Sequence, residues 1–215
     1  MVNRVAIFGQ SFYPETEKYL AQLLEVLSSK NVEVTIEKNY FRLLEKEKSV
    51  GNLHDYTTFE NLDTSVDLFF TIGGDGTILS AAKFVKNLNI PIIGINTGRL
   101  GFLATVHKDE IKKSIEDILN GDYKVSKRSL LEVKLDADKD VLSEFSFALN
   151  EVAISRKETT SMITIETWLN DEFLNSYWSD GIIVSTPTGS TGYSLSCGGP
   201  IVTPHTKSFI ITTIA

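Results

Sequence analysis

The sequence predicts a chain in two parts, a doubly wound parallel α/β domain over residues 1–123 and then an antiparallel β-domain over residues 124–215. Two observations carry this. Strand and helix periods alternate as far as Gly121, and from about Lys124 onward only strand-length apolar runs remain, separated by short polar turns. A third feature, Gly73-Gly74-Asp75-Gly76-Thr77, joins the end of a buried strand to the start of a helix and gives the first part its chemistry.

Val5 to Phe8, closed by Gly9, form the first strand, and Tyr19, Leu20, Leu23, Leu24 and Leu27 recur at helical spacing after it. Val32, Val34 and Ile36 alternate with polar residues as a second strand. Residues 37–66 show little periodicity and a charged stretch, Glu45-Lys46-Glu47-Lys48, which predicts a solvated loop or a short helix. Leu68-Phe69-Phe70-Thr71-Ile72 is apolar throughout, the pattern of a parallel strand covered on both faces. Beyond the glycine loop, Ile78, Leu79, Ala82, Val85 and Leu88 describe one helical face, with Thr77 placed to cap that helix. Ile90 to Ile95, with Pro91 near the start, make a further buried strand, and Ile111, Ile115, Ile118 and Leu119 a helix stopped by Gly121. Such alternation implies right-handed crossovers and helices on both faces of a parallel sheet.

In the second part, Leu130 to Leu135, Phe145 to Ile154, Met162 to Leu169, Phe173 to Trp178 and Ile182 to Ser185 are strand-like, with no helical period between them. Asp136-Ala137-Asp138-Lys139-Asp140 and Asn170-Asp171 carry the chemistry of hairpin turns. The closing run, Phe209 to Ala215, has high strand propensity and no turn after it, so a partner strand is expected to be missing from the sequence.

Composition narrows the function. The 215 residues are 42% hydrophobic and 23% charged, a globular balance, and 28 acidic against 21 basic side chains leave a net charge of -7 that repels a polyanion such as nucleic acid. Any phosphate site is therefore local. The one cysteine, Cys197, excludes an internal disulfide and a thiolate-rich zinc site, and is a small packed residue more readily than a nucleophile. His54, His107 and His205 share no metal-ligand spacing, and no metal-binding side chains are assigned. No window approaches the ~20 apolar residues of a membrane span, and the N-terminus lacks a signal-peptide pattern, so a cytoplasmic protein with no membrane partner is expected.

Glycines let backbone N–H groups turn inward and approach an anion, and the start of a helix adds unpaired N–H groups and the positive end of its dipole. Gly73, Gly74 and Gly76 read either as a tight structural turn or as a phosphate cradle, and the buried strand before them favours the cradle. Asp75 amid phosphate donors is repulsive unless it accepts a hydroxyl hydrogen bond, removes a proton or meets a metal, the tasks of phosphoryl transfer. The loop lacks the lysine of the common P-loop and the spacing of the dinucleotide fingerprint. Lys83 and Arg99 could reach phosphate or stand at surface ends of their elements.

A second segment, Ser179-Asp180-Gly181 followed by Ile182-Ile183-Val184 and then Ser185 to Ser194, is dense in hydroxyls and glycines and reads as a surface loop or a polar ligand site. Asn150-Glu151 lies between apolar triplets, where polar groups need partners.

Together these segments resemble the NAD kinase family: Gly73 to Thr77, Asn150-Glu151, and Asp180 to Ser196 followed by Gly198-Gly199-Pro200, with Asn96-Thr97-Gly98-Arg99-Leu100-Gly101-Phe102-Leu103 a further likeness. The resemblance implies an α/β nucleotide domain followed by a β-sandwich. It also implies transfer of the ATP γ-phosphoryl group to the 2′-hydroxyl of the adenosine ribose of NAD, with a divalent cation, usually magnesium. Asp75 is then the catalytic base. Asp75 and Gly76 touch NAD, Asn150 and Glu151 hold the adenosine side, and Ser161, Trp178, Asp180, Thr191, Gly192, Tyr193, Ser194, Leu195 and Ser196 complete the pocket. Similar enzymes commonly carry a basic residue at the position of Trp178 and often alanine at those of Gly192 and Cys197. They also continue for several more strands, and they assemble as homodimers or homotetramers. Lipid and sugar kinases share the glycine loop but not the segment 180–200, and a non-catalytic dinucleotide sensor is a third possibility.

Overall fold

In the computed structural model, which describes residues 2–47, 53–98, 101–135, 147–157 and 160–215, the chain forms two units, one up to Val125 and one from Ser126. In the first, β1 (Arg4–Gly9), β2 (Glu33–Glu37), β3 (Thr57–Phe59), β4 (Leu68–Gly73), β5 (Ile92–Asn96) and β6 (Val106–His107) make one sheet in the order β3-β2-β1-β4-β5-β6. Every pairing in it is parallel, with Ile7 opposite Ile36 on one side and Phe70 on the other. The helices are α1 (Pro14–Ser29), α2 (Lys38–Glu47), α3 (Asp75–Val85) and α4 (Ile111–Leu119).

Alternate residues of β1 separate into two cores, as the period of a strand requires. Val5 and Ile7 pack with Leu20, Leu23 and Leu27 of α1 and Ile111 and Ile115 of α4. Ala6 and Phe8 pack on the other face with Phe69 and with Ala81 and Val85 of α3. Each fully buried Leu, Ile or Phe contributes roughly 1.5–3 kcal/mol, so a strand covered on both faces is the most strongly fixed part of this unit. The strand order reverses between β1 and β4, and in open parallel sheets the crevice beyond the strands' carboxyl ends at that point is where ligands bind. The glycine loop leaves β4 at this crevice.

Several expectations need correction here. Of the two readings of residues 37–66 the short helix holds, as the ten residues of α2, because the Glu37 carboxylate accepts the Tyr40 N–H at 2.8 Å and Tyr40 and Leu44 bury one face. Residues 37–66 also contain β3, whose Thr57 and Thr58 face solvent and hide its period. The two-residue strand β6 had no sequence pattern long enough to show. Thr77 does not cap α3. The cap position is Gly74, and Thr77 sits buried in the first turn, its N–H bonded to the Gly74 carbonyl at 3.0 Å.

The second unit consists of antiparallel sheets. The strands β7 (Leu131–Glu132) and β8 (Phe147–Ala148) pair with each other, and β9 (Glu151–Ser155), β12 (Gly181–Ser185) and β13 (Ile210–Ile214) make a sheet ordered β13-β12-β9. The hairpin of β10 (Ile163–Leu169) and β11 (Glu172–Ser179) turns on Asn170 and Asp171, with φ of 51° and 67° as a two-residue turn demands. Leu130 to Leu135 yields only the two residues of β7, and the run toward Ile154 is interrupted at Leu149-Asn150. Asp136 to Asp140 and residues 145 and 146 lie outside the described residues. The hydroxyl-rich segment, read from sequence as a loop, winds into a 3-10 turn over Thr188–Thr191 and a short helix, α5 (Tyr193–Ser196). Ser and Thr hydroxyls bonding back to nearby carbonyls allow it, Ser190 Oγ donating to the Pro187 carbonyl at 2.7 Å.

Candidate active site

In the α/β unit the site begins where β4 stops. Gly73 has φ of 151°, and a Cβ there would fall 2.2 Å from Thr77 Oγ1, so the turn admits only glycine. Past it, a Cβ at Gly74 or Gly76 would meet nothing within 4 Å. Packing therefore does not dictate those two glycines, and the space above them is open to an anion approaching the first turn of α3.

Asp75 opens α3, and its carboxylate is held by one backbone segment. Oδ2 accepts the Phe102 N–H at 2.7 Å, and Oδ1 accepts those of Leu103 at 2.9 Å and Ala104 at 3.1 Å. Just upstream, Asn96 is buried and its Oδ1 accepts the Gly98 N–H at 2.9 Å. Arg99 lies outside the described residues. Lys83 lines a half-open crevice of about 240 Å³ with Gln10, Glu37, Asn39 and Tyr40 at the carboxyl ends of β1 and β2, and its ammonium lies 5.0 Å from the centre of the Phe84 ring.

In the second unit, Asn150 and Glu151 precede and open β9. The Asn150 carbonyl accepts the Thr186 N–H at 2.8 Å, while Thr186 Oγ1 donates to the Leu149 carbonyl and accepts the Gly189 N–H at 3.1 Å. These bonds fold the hydroxyl-rich turn back onto the strand. A Cβ at Gly192 would stand 2.9 Å from Glu151 Oε2 and 3.6 Å from Asn150 Nδ2, so three expected site residues meet at this point. Burial pushes the Glu151 carboxyl above its ordinary pKa, and a hydrogen bond from the Tyr193 N–H offsets part of the rise. Oε2 is buried without a hydrogen-bond partner among the described residues, an arrangement a ligand hydroxyl or amine would relieve. Ser194 is buried, its Oγ 3.0 Å from Thr212 Oγ1, whereas Tyr193, Leu195 and Ser196 are exposed. Asp180, ahead of β12, pairs with Arg156 at 3.2 Å.

Profiles of the ATP-NAD kinase N-terminal and C-terminal domains match residues 5–123 and 149–215. The chain belongs to the ATP-NAD kinase family. It is similar to the NAD kinase of Flavobacterium johnsoniae, 50% identical over 215 residues, and to that of Christiangramia forsetii, 49% identical over 213 residues. Each alignment covers 99% of this chain and 72% of the relative. Among solved structures it is similar to yeast NADH kinase complexed with NADH, with a TM-score of 0.81, 26% identity and coverage of 100% of this chain but 66% of that one. It is also similar to an NAD kinase from Archaeoglobus fulgidus in complex with ATP, with a TM-score of 0.68 and 27% identity, covering 99% of this chain and 72% of that one. The family and the α/β-plus-β class expected from sequence hold, and the expected enzyme class is that of the family.

Of the residues singled out for this family, Asp75 and Gly76 stand together at the start of α3, and Asn150, Glu151, Gly192 and Tyr193 gather at the start of β9, whereas Thr191 closes the 3-10 turn with its hydroxyl directed to the Thr188 carbonyl. Ser161 lies just before the Ile163–Ser179 end of the hairpin, exposed and already in a polar contact. Trp178 is 74% exposed on β11. Sequence reasoning missed the Gly101 to Ala104 backbone as the partner of Asp75. The signal was the glycine-punctuated run after β5, but amide donors carry no side-chain signature. Thr186, Ser190 and Thr212 were likewise missed as the hydroxyls that brace the second unit's turn.

Proposed function

We propose that this chain transfers the γ-phosphoryl group of ATP to the 2′-hydroxyl of the adenosine ribose of NAD, with Asp75 as the base. The ribose hydroxyl gives its proton to the Asp75 carboxylate as its oxygen attacks the γ-phosphorus. The bond to the β–γ bridging oxygen breaks and ADP leaves. The observation that carries this reading is the fixed Asp75 carboxylate at the N-terminus of α3, beside two glycines whose upper faces are open. Gly76 and the first-turn amides receive phosphate, and Asn150 and Glu151 receive the adenosine side. Thr191 to Ser196 with Ser161, Trp178 and Asp180 are assigned to contacts with the dinucleotide.

Magnesium is proposed to enter with the nucleotide, where it neutralises phosphate charge. Among the described residues no three His, Cys, Asp or Glu side chains converge as a metal cage, and Asp75 already accepts three N–H groups. The residues present therefore do not fit a protein-held metal, and no step is assigned to one. A homodimer or homotetramer in the cytoplasm completes the proposal, and no helix among the described residues is long and apolar enough to cross a membrane. The division of roles follows residues 1–123 and 124–215.

The test is NADP formation from NAD, ATP and magnesium by this chain and by Asp75→Asn. Loss of a base lowers the rate by roughly 10²–10⁴-fold, so the variant should bind NAD by calorimetry and turn it over at least 100-fold more slowly. Undiminished turnover in Asp75→Asn removes the base assignment, and NAD binding with no turnover by the parent chain favours a sensor.

A further inference from the structure

We infer that Gly101 is a positioning residue for phosphoryl transfer, a position at which any side chain would evict the Asp75 carboxylate from the three amides that aim it. The inference rests on Asp75 being the base and adds which of its oxygens does the work and what holds it there. A carboxylate has about four lone-pair sites, two per oxygen. On Oδ1 both are taken, by the Leu103 and Ala104 N–H groups, whereas on Oδ2 only one is taken, by Phe102. The structure thus assigns proton acceptance to Oδ2.

The fit leaves no slack. A Cβ on Gly101 would fall 2.2 Å from Oδ1, 2.5 Å from Cγ and 2.7 Å from Oδ2, so even alanine must drive the carboxyl group out or break the segment. The segment is also backed from the sheet. A Cβ on Gly94 of β5 would lie 2.7 Å from the Ala104 Cα and 2.5 Å from Ile78 Cδ1, so Gly94 permits Ala104 to pack against the strand one helical turn below Asp75. Ala104 is buried, but Phe102 is 73% exposed. Its side chain therefore does not anchor the loop; its N–H is placed by the glycine before it and by the buried alanine two residues later.

A purely structural latch and a positioning latch differ in kinetics. Misplacement of a reacting group by about 1 Å can cost 100-fold. Gly101→Ala should lower kcat about 100-fold, leave KM for NAD within threefold, and cause no further loss when added to Asp75→Asn, because residues acting as one unit are non-additive. If Gly101→Ala does not fold, replacing Leu103 by its α-hydroxy analogue swaps one N–H for an ester oxygen without added bulk. That variant should lower kcat severalfold, again only when Asp75 is present. A kcat within twofold of the parent in a folded variant, or an equal fractional loss in the Asp75→Asn background, overturns the positioning role. Activity that survives Asp75→Asn overturns the base assignment instead, so the two failures are distinguishable.

Discussion

The two units place their proposed site residues on very different foundations. In the α/β unit the strands that deliver the glycine loop are buried on both faces, with Phe69, Phe70 and Ile7 fully enclosed, and the carboxylate is fixed by backbone donors. Among the described residues of the second unit few apolar side chains are buried, Ile182, Ile183 and Ile210 being examples, whereas Trp168, Leu169, Phe173, Leu174, Phe209 and Ile211 are exposed. The Asn150 and Glu151 site there is braced by hydroxyl hydrogen bonds instead of a packed core. Reacting groups need sub-ångström placement and so belong on the rigid unit, while a dinucleotide pocket tolerates adjustment.

The largest effect that could break this comparison comes from removing the same ring on each side. Phe70→Ala leaves a cavity in the enclosed sheet and should cost about 3–5 kcal/mol by urea unfolding. Phe173→Ala, on a 59% exposed side chain whose ring meets Trp168 edge-on at 5.7 Å, should cost about 1 kcal/mol. Equal costs would mean that the hairpin is covered in solution. Amide exchange sharpens the point, since β1 and β4 should be protected longest and β10 and β11 should exchange first.

Gly73→Ala comes next. It combines a φ of 151° with a collision at Thr77 Oγ1, and backbone strain of this kind costs about 1–3 kcal/mol. The melting temperature should fall and the KM for ATP rise together, because the turn that bears the strain also aims the first-turn amides. A rise in KM without any loss of stability would separate the cradle from the fold.

How much of this was legible in the sequence follows the same division. In the α/β unit, Leu68 to Ile72 followed by Gly73-Gly74-Asp75-Gly76 announced strand, turn and helix together, since burial on both faces and positive φ each leave a residue signature. The helix α2 could not be told from a solvated loop because its exposed face carries the charges and only Tyr40 and Leu44 mark the buried one. In the second unit, serine and threonine serve equally as strand, turn and short-helix residues, and the hydrogen bonds that decided between them span up to 37 residues, as from Thr186 to Leu149. Local pattern cannot register such partners. The amides that hold Asp75 escaped for a related reason, being 27 to 29 residues away and contributed by the backbone.

A smaller effect is the titration of Glu151. Burial raises its folded pKa, so between the ordinary carboxylate value and the raised one the folded chain holds a proton that the unfolded chain has released. Stability should therefore fall as pH rises through that window and level off above it, and Glu151→Gln should abolish the step. NAD affinity should move the opposite way, tightening as the ionised carboxylate becomes available to ligand hydroxyls. Partial exposure keeps both changes modest, and a flat stability profile in the parent chain would place Glu151 in solvent.

The smallest effect is the most diagnostic, because it repeats the Gly101 experiment on the softer foundation. Gly192 also faces a carboxylate, with its notional Cβ 2.9 Å from Glu151 Oε2, but the next contact, the Gly189 carbonyl, is at 3.2 Å. The Glu151 carboxylate is the flexible end of a longer side chain, so it can swing aside from a methyl group at Gly192, where the backbone (φ -93°, ψ -134°) is one that alanine takes at some cost. The expected result for Gly192→Ala is a stability loss of about 1 kcal/mol, a severalfold shift in KM for NAD and an unaltered kcat. One methyl group beside a carboxylate would then slow catalysis about 100-fold in one unit and merely retune binding in the other. A loss of kcat comparable to that of Gly101→Ala would show that the second unit is as tightly preorganised as the first, and the exposed faces of β10 and β11 would need another explanation.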